Sequence, residues 1–145
     1  MYRKITLVLI LAVSILALAA TAMAQPHPKV QEMLAEARAA VTQVTAEEAK
    51  AALDAGGETV FLDVRDPDEY VGGHIPGSVN VSRGKLEFRI FAVVPDQDAK
   101  IYVYCLTAAR SALATKTLND LGYTNAVLVN ASWADWVKAG YPVAR

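Results

Sequence analysis

Ile101-Tyr102-Val103-Tyr104-Cys105-Leu106-Thr107-Ala108-Ala109-Arg110-Ser111 is the stretch that decides the fold. Its first four residues are β-branched or aromatic and mark a strand. From Ser111 to Leu121 apolar residues recur at helical spacing. Three further runs, Thr59–Val64, Ser78–Val81 and Ala126–Val129, read as short buried strands, and Lys85–Phe91 and Ser132–Ala139 read as helices. Near-continuous apolar strands alternating with helices predict one α/β domain, a parallel sheet with helices on both faces.

Outward from this region, Thr45-Ala46-Glu47-Glu48 is a capping box: a threonine oxygen and a glutamate three residues later satisfy orphan backbone N–H groups. The helix it opens should close at Gly56-Gly57. Val30, Met33, Leu34, Ala37 and Val41, spaced by three or four, predict an earlier helix over about 29–41. Residues 25–44 are therefore expected to form an N-terminal helical extension and residues 45–145 the domain proper.

The chain of 145 residues is 54% hydrophobic with a formal net charge of −1, and its first 24 residues distort both figures. Arg3 and Lys4 precede an apolar run from Leu7 that ends in Ala22-Met23-Ala24, the three parts of a secretory signal peptide. The alternative, an uncleaved anchor helix, has an apolar length near the lower limit for crossing a bilayer. Cleavage after Ala24 is expected, leaving no stable membrane anchor and a protein that works in a periplasm. With no cysteine near the cleavage point, lipid attachment there is excluded. Beyond residue 24 stand 12 basic and 15 acidic residues, the composition of an ordinary soluble domain with one core. The slight acidity, without a basic cluster, argues against a nucleic-acid platform. One cysteine excludes a disulfide framework and a four-cysteine zinc site; no metal and no cofactor is expected.

Ligands of open parallel sheets bind beyond the carboxyl ends of the strands, and Cys105 stands at such an end. There it meets successive backbone N–H groups and the positive end of a helix dipole, both of which favour thiolate over thiol. Arg110 adds a permanent cation with a fork suited to an oxyanion, and Ser111 can cap the helix or donate to sulfur. The competing reading is a buried, inert cysteine, a common state for this residue.

The neighbouring segment decides between them. Leu62-Asp63-Val64-Arg65-Asp66-Pro67-Asp68-Glu69-Tyr70-Val71-Gly72-Gly73-His74-Ile75-Pro76-Gly77-Ser78-Val79-Asn80-Val81 resembles the rhodanese (sulfurtransferase) family, with its Asp-Val-Arg stretch and its Gly-His-Ile-Pro-Gly loop. Asp135-Trp136-Val137-Lys138-Ala139-Gly140-Tyr141-Pro142-Val143 is similar to that family's closing motif, so the resemblance runs from Thr45 to Val143. It implies a rhodanese-like five-stranded parallel sheet and a catalytic Cys105 that carries a persulfide. The loop residues Leu106, Thr107, Ala108, Ala109, Arg110 and Ser111 are then expected to bind substrate, a small-molecule sulfane-sulfur donor such as thiosulfate or a persulfide. A thiol or cyanide would accept the sulfur. Phosphatases related to this family have a loop one residue longer than the six from Cys105 to Arg110, so the shorter loop fits sulfur better than a phosphoryl group.

Two positions depart from the family pattern. A glycine is usual where Ala108 stands, and alanine tolerates positive φ less well. Paired glycines are usual at Asn130-Ala131. The loop also lacks a basic side chain before Arg110, so a dianion is expected to bind less tightly than a less charged persulfide. These departures motivate the alternative of a catalytically weak binding module acting on a periplasmic protein partner.

Asp63 and Arg65, implied to brace the loop, would otherwise be an ordinary strand-end ion pair. His74, as a histidine, is a candidate proton donor, but its glycine-flanked turn favours loop-fixing hydrogen bonds. Trp133 and Trp136 share a helix face and default to core packing. Arg83, Lys85 and Arg89, interrupted by Glu87, read as a solvated helix face. N-terminal sequencing of exported protein should begin at Gln25; membrane-bound material retaining Met1 would contradict the signal-peptide assignment.

Overall fold

The computed structural model describes residues 26–145, so the expected signal sequence over 1–24 lies outside the described residues. The chain divides into a unit Met1–Glu32 and a unit Met33–Arg145. In the first, the described residues open helix α1 (Pro28–Ala39), where Lys29 pairs with Glu32 at 2.8 Å. The second carries the sheet and the site.

The sheet has five parallel strands: β1 (Gln43–Val44), β2 (Thr59–Asp63), β3 (Val79–Asn80), β4 (Lys100–Tyr104) and β5 (Ala126–Val129), in the spatial order β1-β5-β4-β2-β3. The helices between them are α2 (Ala46–Ala55), α3 (Pro67–Val71), α4 (Leu86–Val93), α5 (Ala109–Asp120) and α6 (Trp133–Lys138). From the central pair β2 and β4, one chain path leads out to β3 and the other to β5. That divergence opens a crevice at the carboxyl ends of β2 and β4, where Asp63 pairs with Tyr104 in register.

Strand side chains alternate between two cores, as the two-residue period requires. Leu62, Ile101 and Val103 meet Leu86 and Ile90 of α4 and Ala114 and Leu118 of α5. Phe61, Tyr104 and Val129 meet Ala49 of α2 and Trp136 of α6 on the opposite face. Ala37 of α1 packs in a third cluster with Ala108, Ala112 and Leu128. The expected fold, with helices on both faces, is the fold observed.

The elements differ from the sequence reading in two places. Gln43 and Val44, assigned to the N-terminal extension, form an edge strand in parallel register with Leu128 and Val129. Two residues are too few to show a strand period, which hid β1. Pro67–Val71, for which the sequence reading named no element, form α3. Its signals are Pro67 in the first turn and Glu69, whose side chain reaches back to the Asp66 amide at 3.1 Å. The Thr45 box is present as expected, with Glu48 N–H donating to Thr45 Oγ1 at 3.1 Å and Thr45 N–H to Glu48 Oε2 at 2.7 Å.

Candidate active site

Cys105 follows β4 directly, 1% exposed and unpaired. Its Sγ lies 3.3 Å from the backbone nitrogen of Ser111, which donates to it, and 3.3 Å from the Ser111 hydroxyl. Ser111 is itself fully buried in the first turn of α5. Among the described residues, no protein acceptor takes the amides of Leu106 to Arg110. Ser111 thus supplies both groups that meet the sulfur, and the amides of the loop before it are left without a protein acceptor. Leu106 is 43% exposed and Thr107 is exposed, while Ala109 and Arg110 are half-buried.

The loop turns at Ala108, where φ is +62°, the only non-glycine residue in the left-handed region among those described. The conformation that glycine would adopt is thus kept by alanine. Left-handed backbone costs an L-residue roughly 1–2 kcal/mol and persists where the surroundings over-determine it. Here Ala108 is buried in one apolar cluster with Ala37 of α1, Ala112 and Leu128.

Arg110 makes a contact that the sequence reading did not anticipate. Its fork was expected to face a substrate oxyanion. Instead Nη1 donates to Glu69 Oε2 at 2.7 Å and Nη2 to Glu69 Oε1 at 2.8 Å, with Asp66 a further 3.6 Å contact. The capping glutamate of α3 supplies the planar carboxylate that a guanidinium fork matches best. The Arg110 hydrogen bonds hold the Glu69 carboxyl down at about 2. Arg110 is itself raised above its ordinary value, chiefly by Glu69, with a smaller contribution from charge at Cys105. Arg110 therefore shapes the loop and adds field to the site while both ends of its fork are occupied. Glu69 was missed in the sequence; the spacing Asp66-Pro67-Asp68-Glu69 was its available signal.

Asp63 and Arg65 form a buried pair at the end of β2, 0% and 2% exposed. Asp63 accepts from the Arg65 amide at 2.9 Å, from Nε at 3.0 Å and from Nη2 at 2.6 Å. Arg65 Nη2 also donates to the Gly73 carbonyl at 2.7 Å, and its guanidinium lies 4.5 Å from the Trp133 ring. Burial acts to lower the Arg65 pKa, yet the Asp63 hydrogen bond and charge raise it overall. Asn80 donates to the carbonyls of both Asp63 and Arg65 at 3.0 Å.

His74 stands in the loop those groups hold. Its ring stacks on Tyr70 at 3.8 Å, and its Nδ1 lies 2.9 Å from the Tyr70 carbonyl, which can only accept, so Nδ1 carries the proton. The Tyr104 hydroxyl accepts from the Ile75 amide at 3.1 Å and lies 3.0 Å from Ser78 Oγ. Burial first, and Asp63 second, push the Tyr104 phenol well above its ordinary value, so it stays a neutral strut. Ile75, Tyr104, Trp133 and Trp136 wall a crevice of about 10 Å³ beside Cys105, close to the volume of a single water-sized guest. Trp136 is buried in the core and Trp133 packs against the same cluster, as expected, and Trp133 also donates its backbone N–H to the Leu106 carbonyl at 3.0 Å.

Comparison with known proteins places these features in a family context. Residues 45–139 match the rhodanese-like domain model. The chain is 34% identical over 65 residues to the thiosulfate sulfurtransferase PspE of Escherichia coli strain K12, covering 45% of this chain and 62% of that one. It is 36% identical over 92 residues to the thiosulfate:glutathione sulfurtransferase of Saccharomyces cerevisiae, covering 56% and 66%. The alignments thus span a little under two thirds of these curated relatives' lengths. Among solved structures, a Rhodopseudomonas palustris protein of unknown function, described as a possible tyrosine phosphatase, superposes with a TM-score of 0.76 at 33% identity, covering 83% of this chain and 98% of that one.

Two outcomes follow from this geometry. Glu69 titrates at about 2 in the folded protein against an ordinary 4.5, so the fork's stabilisation is full above the ordinary value and is lost as pH falls toward 2. In denaturant unfolding, Glu69→Gln should be less stable than wild type by about 1–2 kcal/mol from neutral pH down to about 5. The gap should close near pH 2; a gap that persists there contradicts the assignment. At the turn, Ala108→Gly exchanges backbone strain for a lost methyl contact and should change stability by less than about 1 kcal/mol. Ala108→Val, β-branched and left-handed, should cost more than about 2 kcal/mol. Equal melting temperatures for Ala108→Val and wild type would show that the turn is not constrained as described.

Proposed function

This chain belongs to the rhodanese-like family, and on that footing we propose that it is a periplasmic sulfurtransferase that carries sulfane sulfur on Cys105. The observation that carries the proposal is the Cys105 cradle: a buried sulfur met by the Ser111 amide and hydroxyl at 3.3 Å, with the preceding loop amides unclaimed.

The cycle is a double displacement. The Cys105 thiolate attacks the outer sulfur of the donor, a Cys105 S–S bond forms, and the donor's S–S bond breaks. With thiosulfate, sulfite leaves with the bonding electron pair; with a thiol persulfide, a thiolate leaves. The terminal sulfur of the new persulfide is anionic and stays within reach of the loop amides and the field of Arg110. An acceptor thiolate or cyanide then attacks that terminal sulfur and releases the Cys105 thiolate. No external oxidant or reductant is needed.

Several features support a donor of low charge. Residues Leu106 to Ala109 carry no charged group, and the Arg110 fork is taken by Glu69. A thiosulfate dianion meets amides but no free cation within the loop. The same features speak against phosphate hydrolysis, because the six-residue loop and the crevice of about 10 Å³ leave little room for a tetrahedral phosphoryl group. The alternative of a binding module without turnover rests on the uncharged loop and on Ala108. Because Ala108 adopts the backbone that glycine would, that second ground loses its force. Export to a periplasm is part of the proposal on the strength of the signal-like pattern in residues 1–24.

The test is turnover. Purified protein should form thiocyanate from cyanide with thiosulfate or with glutathione persulfide, with a lower KM for the persulfide. Cys105→Ser should lower the rate at least about 10³-fold. Equal rates for the wild type and the serine variant with every donor would overturn the proposal.

A further inference from the structure

A second cleft opens where β3 leaves the sheet, about 150 Å³ in volume and lined by Pro67, Asn80, Val81, Ser82, Lys85 and Arg89. Like Cys105, it lies at the carboxyl end of the sheet, the end where such folds bind ligands. Lys85 and Arg89 are four residues apart and face it together. Neither has a carboxylate partner among the described residues. Glu87, which stands between them in sequence, is drawn away by Arg83 at 2.9 Å. Neither Asp66, which reaches toward Arg110, nor Asp68 lines the cleft. The cleft therefore offers an anion two uncompensated cations and a serine hydroxyl, the Asn80 amide donors being spent on the Asp63 and Arg65 carbonyls. Lys85 and Arg89 are exposed, in keeping with the solvated face inferred from sequence, and they also line this cleft.

The site around Cys105 lacks this chemistry. Its loop is uncharged before Arg110, Arg110 is neutralised by Glu69, and Arg65 is buried on Asp63. Recognition of an anionic sulfur carrier must come from beyond the loop. In the sheet order, β3 stands two strands from β4, a separation of roughly 10 Å. An extended tripeptide spans roughly the same distance.

We propose that the Lys85–Arg89 cleft binds the carboxylate of a peptide-sized thiol or its persulfide, of the glutathione type, whose sulfur exchanges with Cys105. This rests on the sulfur-transfer reading and adds to it a binding site for the carrier's carboxylate. The two cations fix the far end of the carrier, and the sulfur end reaches the cradle across the end of β2.

S-methylglutathione, which cannot accept or donate sulfane sulfur, is the probe, read by calorimetry or by amide chemical shifts. It should bind wild type and Cys105→Ser equally, with shifts at residues 80–89. Lys85→Ala/Arg89→Ala should weaken it roughly fivefold, the scale for losing two exposed charge contacts. The dimethyl ester of the same probe should bind wild type as poorly as the free acid binds the double variant, and added salt should weaken the acid alone. Undetectable binding to wild type, unchanged affinity in the double variant, or equal affinity for ester and acid would each overturn the cleft assignment. None of these outcomes depends on turnover at Cys105, so failure here is separable from failure of the sulfur-transfer proposal.

Discussion

The Asp63 carboxylate, wholly buried at the end of a central strand, accepts hydrogen bonds from the Arg65 amide and from two nitrogens of its guanidinium. Removing one partner of a buried pair costs about 3–5 kcal/mol because the other charge is stranded. The pair does more than fill the end of β2. Arg65 carries the Gly73 carbonyl and lies against the Trp133 ring, and Trp133 in turn holds the Leu106 carbonyl with its backbone N–H. Asn80 ties both members to the end of β3. From one buried charge pair, contacts run to the His74 turn, to the aromatic wall beside Cys105 and to the cysteine loop itself.

Around that anchor the loop is fixed from three further sides. Glu69 caps α3 and clamps Arg110, which joins the start of α3 to the start of α5. Ala108, with its left-handed backbone, is buried in one apolar cluster with Ala37 of α1, Ala112 and Leu128, although α1 precedes the matched family region. Ser111 holds the sulfur. Each clamp uses a side chain already engaged in local structure, which leaves the loop amides as the groups free to meet an incoming anion. In the proposed cycle, preorganised dipoles of this kind require little rearrangement as negative charge moves from thiolate to persulfide.

Much of this was legible in the sequence because it follows from local rules. β4 and β5 announced themselves by β-branched runs, α2 by its capping box, and the Cys105 position by the strand-to-helix passage. Four of the five strands could be named. The fifth, Gln43–Val44, is too short to have a period and takes its place only by pairing with β5. Side-chain partners across the fold were not legible. Nothing local says that Glu69, 41 residues from Arg110, will occupy the fork that the sequence reading assigned to substrate. Likewise the cavity at Lys85 and Arg89 exists only because α4 and the end of β3 come together. The family resemblance conveyed the roles of Asp63 and Arg65, but the path from them through Trp133 to the loop needed coordinates.

The central claim is that the sulfur-bearing atom is Cys105 Sγ, held in this cradle. Intact-mass spectrometry of protein treated with a sulfane-sulfur donor, followed by peptide mapping, tests it most directly. The account predicts a gain of one sulfur atom, located on the peptide containing Cys105 and removed by cyanide. A protein that gains no sulfur from any donor, or gains it equally after Cys105→Ser, would contradict it.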